Sequence, residues 1–256
     1  MLVTTEGIVL KQRKISNNRR MIVIFTKSYG KISAGTNVNE RGKGKSALAL
    51  RPFTYAGYDI FKNRGYYNIN GTDVKQSFYS IGEDIDRFMA ASRMMEYLDQ
   101  ILEEEQPKPK LFDMTLAFLR AVSEARNGFS TMLYAYIVKS LGMLGVMPEL
   151  KHCVNCGKTP EEPANSGKNS HMAFSVSDGG IICEDCLTEE KSGDHTLIFR
   201  PEFDIVGMLQ YFVDNPFPQF GKVVLKPEYS AEIRHILSEY IKYYLSIDVL
   251  DEELQL

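Results

Sequence analysis

Residues 20–36 read RMIVIFTKSYGKISAGT, and the fold of the N-terminal half turns on this stretch. Arg20 to Lys27 is a short β-branched apolar run bounded by polar residues, which predicts a buried strand. Ser28-Tyr29-Gly30-Lys31 supplies a turn, and Lys31 to Thr36 returns as the second arm of a hairpin. Upstream, Leu2 to Gln12 is extended in character, with Val3, Ile8 and Val9 set among polar residues and a bend at Gly7. Downstream, Asn37 to Ser46 is a Gly/Lys/Arg loop. Arg51 to Phe61 (RPFTYAGYDIF) then alternates aromatic with small or polar residues, and Gly65 to Asn70 (GYYNIN) adds another strand. About five short strands in roughly 75 residues, without helical periodicity, predict a small closed β-barrel of the oligonucleotide-binding (OB) type.

Charge is segregated along the chain. Residues 1–75 hold 14 Lys/Arg against four acids, a balance of +10 in a protein whose formal total is −3. The other 181 residues hold 16 basic and 29 acidic side chains. Such a division suits one half to a polyanion, because Lys and Arg neutralise phosphates and release their counterions. Tyr29, Phe53, Tyr55, Tyr58, Phe61, Tyr66 and Tyr67 could stack on unpaired bases. Alternate strand residues point inward, so each of these aromatics can equally be barrel core. Gly44-Lys45-Ser46 resembles the end of a phosphate-binding loop, but the motif needs a Gly at position 39, which is Asn. It also needs a preceding strand and a following helix, and the sequence predicts neither.

From Gly82 the apolar period changes to 3.6. One helix runs to the stop at Pro107, a second spans Pro109 to Arg126, and a third spans Phe129 to Leu144, apolar nearly all round and so central. A fourth covers Glu202 to Val213, and Glu228 to Leu250 forms a long last one. The runs Glu103 to Glu105, Glu161-Glu162 and Asp251 to Glu253 read as solvated ends. The Met cluster (Met89, Met94, Met95, Met132, Met143, Met147) reads as core filling.

Between the third and fourth helices lie Cys153-Val154-Asn155-Cys156-Gly157 and Cys183-Glu184-Asp185-Cys186, separated by 26 residues. Each C-x-x-C pair offers two thiolates from one tight turn, and two such turns give the tetrahedral sulfur environment zinc prefers. Cys153, Cys156, Cys183 and Cys186 therefore predict one Zn²⁺, with a structural role because four thiolates leave no position for water or substrate. His152, His171, His195 and His235 are read as surface or isolated residues. No carboxylate pair, Ser/His/Asp set or open metal site occurs, so no catalytic role is expected. With no leader and no apolar run of roughly 18 residues, the expected location is the cytoplasm.

The resulting fold class is α+β and multidomain. An OB-type barrel (residues 1–80) is followed by an α-helical domain (81–150 and 197–256), which is interrupted by a four-Cys zinc-ribbon-like insertion (151–196).

This order of parts resembles the bacterial RecO family of DNA-repair and recombination mediators, over the whole chain. The resemblance is carried by Thr5-Glu6-Gly7-Ile8-Val9-Leu10, by Thr26-Lys27-Ser28-Tyr29-Gly30-Lys31, by Gly42 to Ser46 followed by Arg51-Pro52-Phe53, and by the Cys knuckles inside a helical domain. It implies an OB domain that binds single- and double-stranded DNA and anneals complementary strands. It also implies cooperation with RecR and the single-strand-binding protein so that RecA is loaded, and association with the nucleoid. No nucleotide hydrolysis is implied, and since some members lack the knuckles, zinc is not needed for the activity itself. Gly35 to Glu40 (GTNVNE) is less basic than the family's loop. The candidate phosphate contacts are Arg13, Arg19, Arg20, Lys27, Lys31, Arg41, Lys43, Lys45, Arg51 and Arg64, with Tyr29 and Tyr55 as candidate stacking residues. An RNA-binding factor of translation or ribosome assembly could use the same barrel and ribbon, and a thiol oxidoreductase could use the C-x-x-C pairs.

Overall fold

The hairpin of residues 20–36 forms as its sequence predicts. Strand β2 (Arg19–Thr26) pairs antiparallel with β3 (Gly30–Thr36), with Ile24 opposite Ile32. Thr26 at the turn accepts from the Tyr29 N–H at 3.1 Å and donates from its hydroxyl to the Gly30 carbonyl at 2.8 Å. In the computed structural model the described residues are 1–16, 19–36, 45–63, 65–159, 172–189, 197–201 and 203–250. They divide into two compact units, Met1–Phe129 and Ser130–Leu256.

In the first unit, β1 (Leu2–Ser16), β2, β3, β4 (Thr54–Asn63) and β5 (Tyr66–Ser77) close a barrel in the order β1-β2-β3-β5-β4. All pairings are antiparallel except β3 with β5, which meet in parallel at Ala34–Tyr67 and Gly35–Asn68. The long β1 reaches both of its neighbours in the barrel, pairing β4 through Ile8 and β2 from Gly7 onward. The interior is filled by Val9, Ile22, Ile24, Ile32, Ala56, Tyr58, Ile60 and Ile69. Burial of such side chains, at roughly 25 cal/mol per Å² of apolar surface, is what holds the barrel closed.

Three local features differ from the sequence reading. Strand β1 runs four residues beyond Gln12, because Arg13 to Ser16 pair with Arg19 to Met21 although Arg13, Lys14 and Ile15 are exposed on both faces and carry no alternation. Strand β5 likewise continues past Asn70 to Ser77. A short helix, α1 (Lys45–Ala49), follows residues 37–44, which lie outside the described residues, so this glycine-rich stretch is bounded by a strand and a helix. The phosphate-loop motif still fails for want of a glycine at position 39. What α1 does is packing: Ala49 and Leu50 enter the barrel core, and the buried Tyr58 hydroxyl donates to the Ala49 carbonyl at 2.6 Å.

Two helices complete this unit. Helix α2 (Ile85–Ile101) is capped by Asp84, whose side chain accepts from the Arg87 N–H at 2.9 Å, and α3 begins with proline at its first position (Pro109–Glu124). Phe25, on the outside of β2, meets Phe112 of α3 edge to face at 5.3 Å, and Tyr55 of β4 meets the same ring at 6.2 Å. Part of the barrel's outer wall is therefore internal to the unit.

The second unit is built on α4 (Phe129–Leu144), where Met132 to Val138 and Leu141 are buried. Around it lie α6 (Ile205–Asp214), α7 (Phe217–Phe220) and α8 (Pro227–Leu245), while α5 (Glu184–Glu189) belongs to the cysteine segment. Lys139 donates to the Val213 carbonyl at 2.6 Å, serving one of the orphan acceptors at the end of α6. Tyr136 stacks on Phe217, and the Tyr134 hydroxyl meets Ser230 at 3.1 Å. The methionines are divided between roles: Met94, Met95 and Met132 are buried, while Met89 and Met143 are exposed. Among the described residues no helix is long and apolar enough to cross a membrane.

Candidate metal centre and nucleic-acid interface

The cysteine segment begins on a small sheet. Strands β6 (Ala173–Ser175), β7 (Gly180–Ile182) and β8 (Ile198–Phe199) are ordered β7-β6-β8, and Phe174 packs against Tyr240 of α8. The first knuckle lies alongside β7, where the Val154 N–H donates to the Ile181 carbonyl at 2.9 Å. It closes on itself through Gly157 N–H to Cys153 O at 2.9 Å and Cys153 N–H to Lys158 O at 2.8 Å. Gly157 takes φ +73°, a left-handed conformation that glycine adopts without steric cost. The second knuckle starts where β7 ends: Cys183 precedes α5 (Glu184–Glu189), and Cys186 sits in its first turn. Lys158 and Asp185 form an ion pair at 3.4 Å from one knuckle to the other.

The four sulfurs lie within 4.8 Å of one another, with Cys153 and Cys186 buried and Cys156 exposed. Burial opposes ionisation of Cys153, yet N–H groups of Cys156, Cys183 and Asn155 hold its thiol down at about 6. Cys186 is pushed the other way, by hydrogen bonding with Cys183 first and then by burial. Crowded thiols that cannot all ionise beside one another are stable as thiolates only around a cation. The donor set thus fits a metal ion: four soft ligands from two tight turns, backed by Ile182, Val154, Met172 and Leu187.

The candidate phosphate contacts fall into three groups. Arg13 and Arg51 are exposed, with no ion-pair partner among the described residues, as is Lys14 next to Arg13. Arg20, half-buried, donates to the Gln12 side chain at 3.2 Å across the β1–β2 ladder, and Arg19 begins β2 beside it. Arg13, Lys14 and Arg20 make a basic arm on this ladder, whereas Arg51 stands apart, shortly before β4. Lys27 and Lys31 lie elsewhere and are occupied. Lys27 pairs with Asp113 of α3 at 2.8 Å, while Lys31 donates to the Asp99 carbonyl of α2 at 2.6 Å. Lys45 opens α1, and Arg41, Lys43 and Arg64 lie outside the described residues. Neither candidate stacking ring stands free. Tyr29 packs against the barrel core, and Tyr55 is turned toward Phe112, its hydroxyl pushed up to about 12 by burial and by its hydrogen bond with Glu6.

Sequence reasoning missed the acidic side of these pairs. Glu103 to Glu105 read as a solvated run, but Glu105 pairs with Lys62 at 2.8 Å and its N–H donates to the Lys31 carbonyl at 2.9 Å. Hydrogen bonding with Lys62 holds the Glu105 carboxyl below its usual range, and Lys62 in turn is raised. His235 also has a neighbour, meeting the Phe199 ring at 5.3 Å. A surplus of lysine upstream and of acid downstream was the available signal; which would meet which was not.

Two family models tile the chain in the order of its parts. Residues 1–78 match Recombination protein O N terminal, and residues 82–250 match Recombination protein O C terminal. A DNA repair protein RecO of Alkaliphilus metalliredigens is 30% identical over 245 residues, covering 96% of this chain and 94% of that protein. Those of Caldanaerobacter subterraneus and Bacillus subtilis are 31% and 26% identical over 244 residues, each covering 95% of this chain and 93% and 90% of their own lengths. With a five-stranded OB-like barrel, a helical region and a clustered set of cysteines in the same succession, the chain belongs to the Recombination protein O family, and its role lies in DNA repair and recombination.

Proposed function

We propose that the protein is a non-catalytic recombination mediator that binds single- and double-stranded DNA and anneals complementary strands. On this reading it works with RecR and the single-strand-binding protein to load RecA. The observation that carries the DNA-binding part is the basic arm on a closed OB-like barrel, where Arg13, Lys14 and Arg20 project from one ladder. Phosphates neutralised there lower the mutual repulsion of two strands, and contacts of this kind carry no sequence preference. The pairing itself then needs no chemistry from the protein. In the cysteine cluster, Cys153, Cys156, Cys183 and Cys186 would hold one zinc ion. Zinc held by four thiolates supplies folding energy to the insertion and leaves no open position for substrate.

Binding of a labelled oligothymidine, followed by fluorescence anisotropy at increasing salt, tests the DNA-binding step. With three or four phosphates neutralised, affinity should fall roughly 20- to 50-fold between 50 and 200 mM salt. An oligonucleotide of RNA with matching sequence is the competitor. Displacement of DNA by RNA at an equal or lower concentration would favour the translation-factor reading.

A further inference from the structure

OB barrels bind oligonucleotides across strands 2 and 3, and in this protein part of that surface is covered by acid. Strand β3 meets β5 only at Ala34 and Gly35, which leaves the Gly30-to-Ser33 stretch of its edge without a barrel partner. The segment between α2 and α3 fills that edge. Glu104 bridges to Lys31 in parallel, and the Glu105 N–H donates to the Lys31 carbonyl. The fit is so close that a Cβ on Gly30, itself at φ +69°, would overlap the Gln106 backbone. Glu105 is held at φ +58°, a left-handed conformation that is uncommon for a side chain of this size.

Side chains repeat the theme. Lys11 and Lys31 both reach Asp99, Lys62 reaches Glu105, and Lys27 reaches Asp113. Four lysines from three barrel strands and the β2–β3 turn are thus met by three carboxylates, spread over 15 residues of the acidic half. Most of these pairs are open to water: Lys27, Lys11 and Lys62 are each about 40% exposed at the side chain, and only Lys31, at 13%, is well covered. Exposed ion pairs contribute little net stability, so these carboxylates can be released from the lysines without loss of the fold.

We propose that Lys11, Lys27, Lys31 and Lys62 form a second phosphate-binding face of the barrel, held closed by Asp99, Glu105 and Asp113, whose carboxylates stand where the phosphates of a nucleic-acid strand would lie. This rests on the nucleic-acid reading above and adds a regulatory layer to it. The open basic arm makes the first contact, and the closed face engages only when the acidic segment is displaced. Two strands could then be held by one barrel in succession.

The test uses the full chain and a labelled oligothymidine of about 30 nucleotides. Asp113→Asn frees Lys27 at an exposed position where the fold is not at stake. Asp99→Asn with Asp113→Asn and Glu105→Gln frees all four lysines. Each freed lysine that gains a phosphate should steepen the salt slope by roughly 0.7. The expected result is a slope steeper by about 0.7 in the single variant and by about 2 to 3 in the triple one, with affinity rising at least tenfold in the latter at low salt. Glu124→Gln, about 16 Å farther along α3, removes the same charge away from the lysines and should leave the slope unchanged. Wild-type binding with no gain in either variant, whatever the change in melting temperature, would overturn the closed face and leave the DNA-binding reading standing. No binding by the wild type or any variant would overturn both.

Discussion

Cys153→Ser is expected to empty the metal centre and unfold the insertion. The side chain is 2% exposed and packs with Ile182 and Cys186, in a segment whose strands are three, three and two residues long. So little regular structure cannot hold two turns together by burial alone, and a metal ion on the four clustered sulfurs would supply the link. Structural zinc sites contribute about 10–16 kcal/mol of binding free energy to small domains. A serine hydroxyl ionises far less readily than a thiol, and it would replace the sulfur toward which three backbone N–H groups point. Metal analysis after dialysis against a mild chelator should fall from about one zinc per chain to near zero. Calorimetry should record the transition containing the insertion lowered by about 10 °C, equivalent to roughly 3–5 kcal/mol in a protein of this size. Full metal content with an unchanged transition would mean that the four sulfurs do not act as one site. Chemically reactive thiols in the wild type, with no zinc bound, would revive the oxidoreductase reading.

Arg13→Ala combined with Lys14→Ala is expected to give the largest loss of DNA binding that leaves the fold intact. Both side chains are exposed at the open end of the β1–β2 ladder, and their backbones pair with Met21 and Arg20 whatever the side chain. If each neutralises one phosphate, removing both flattens the salt slope by about 1.4 and weakens binding on the order of 50-fold at 50 mM salt. The loss should be equal for unrelated sequences, since phosphate contacts carry no base information. Lys27→Ala should behave differently. Its ammonium is engaged by Asp113, so the wild-type slope should be kept and only a small change in stability seen. Equal losses from the two substitutions would place the DNA across the acid-covered face as well as the arm.

The contrast between these lysines marks where the sequence stops being informative. The continuous apolar run of Arg20 to Lys27 with its following turn defines β2 and β3, and the aromatic rhythm of Arg51 to Phe61 defines β4, because side-chain direction in a strand has a period of two. The cysteine knuckles are legible for a related reason: each pair is local, and the chemistry of four thiolates is restrictive. Three helices can be read to within a few residues from their period and their prolines. The extension of β1 beyond Gln12 was not legible as strand, since Arg13, Lys14 and Ile15 are all exposed and show no alternation. Helix α1 hid in a run of small residues behind a glycine-rich loop. The fate of the charges was the deepest gap. Lys11 and Asp99 are 88 positions apart, and Lys27 and Asp113 are 86 apart. Pairings across that distance follow from how α2 and α3 lie on the barrel, through contacts such as Phe25 with Phe112 and Phe53 with Phe88. No local pattern encodes it.

The most direct measurement is the annealing of two labelled complementary oligonucleotides, by energy transfer, with and without the protein and with no nucleotide added. A mediator that works by neutralising phosphates should accelerate annealing at 50 mM salt and lose most of that acceleration by about 300 mM. Arg13→Ala with Lys14→Ala should lose it at both. Tight, salt-sensitive DNA binding that leaves the annealing rate at its protein-free value would contradict the account, reducing the barrel to a holder of single strands.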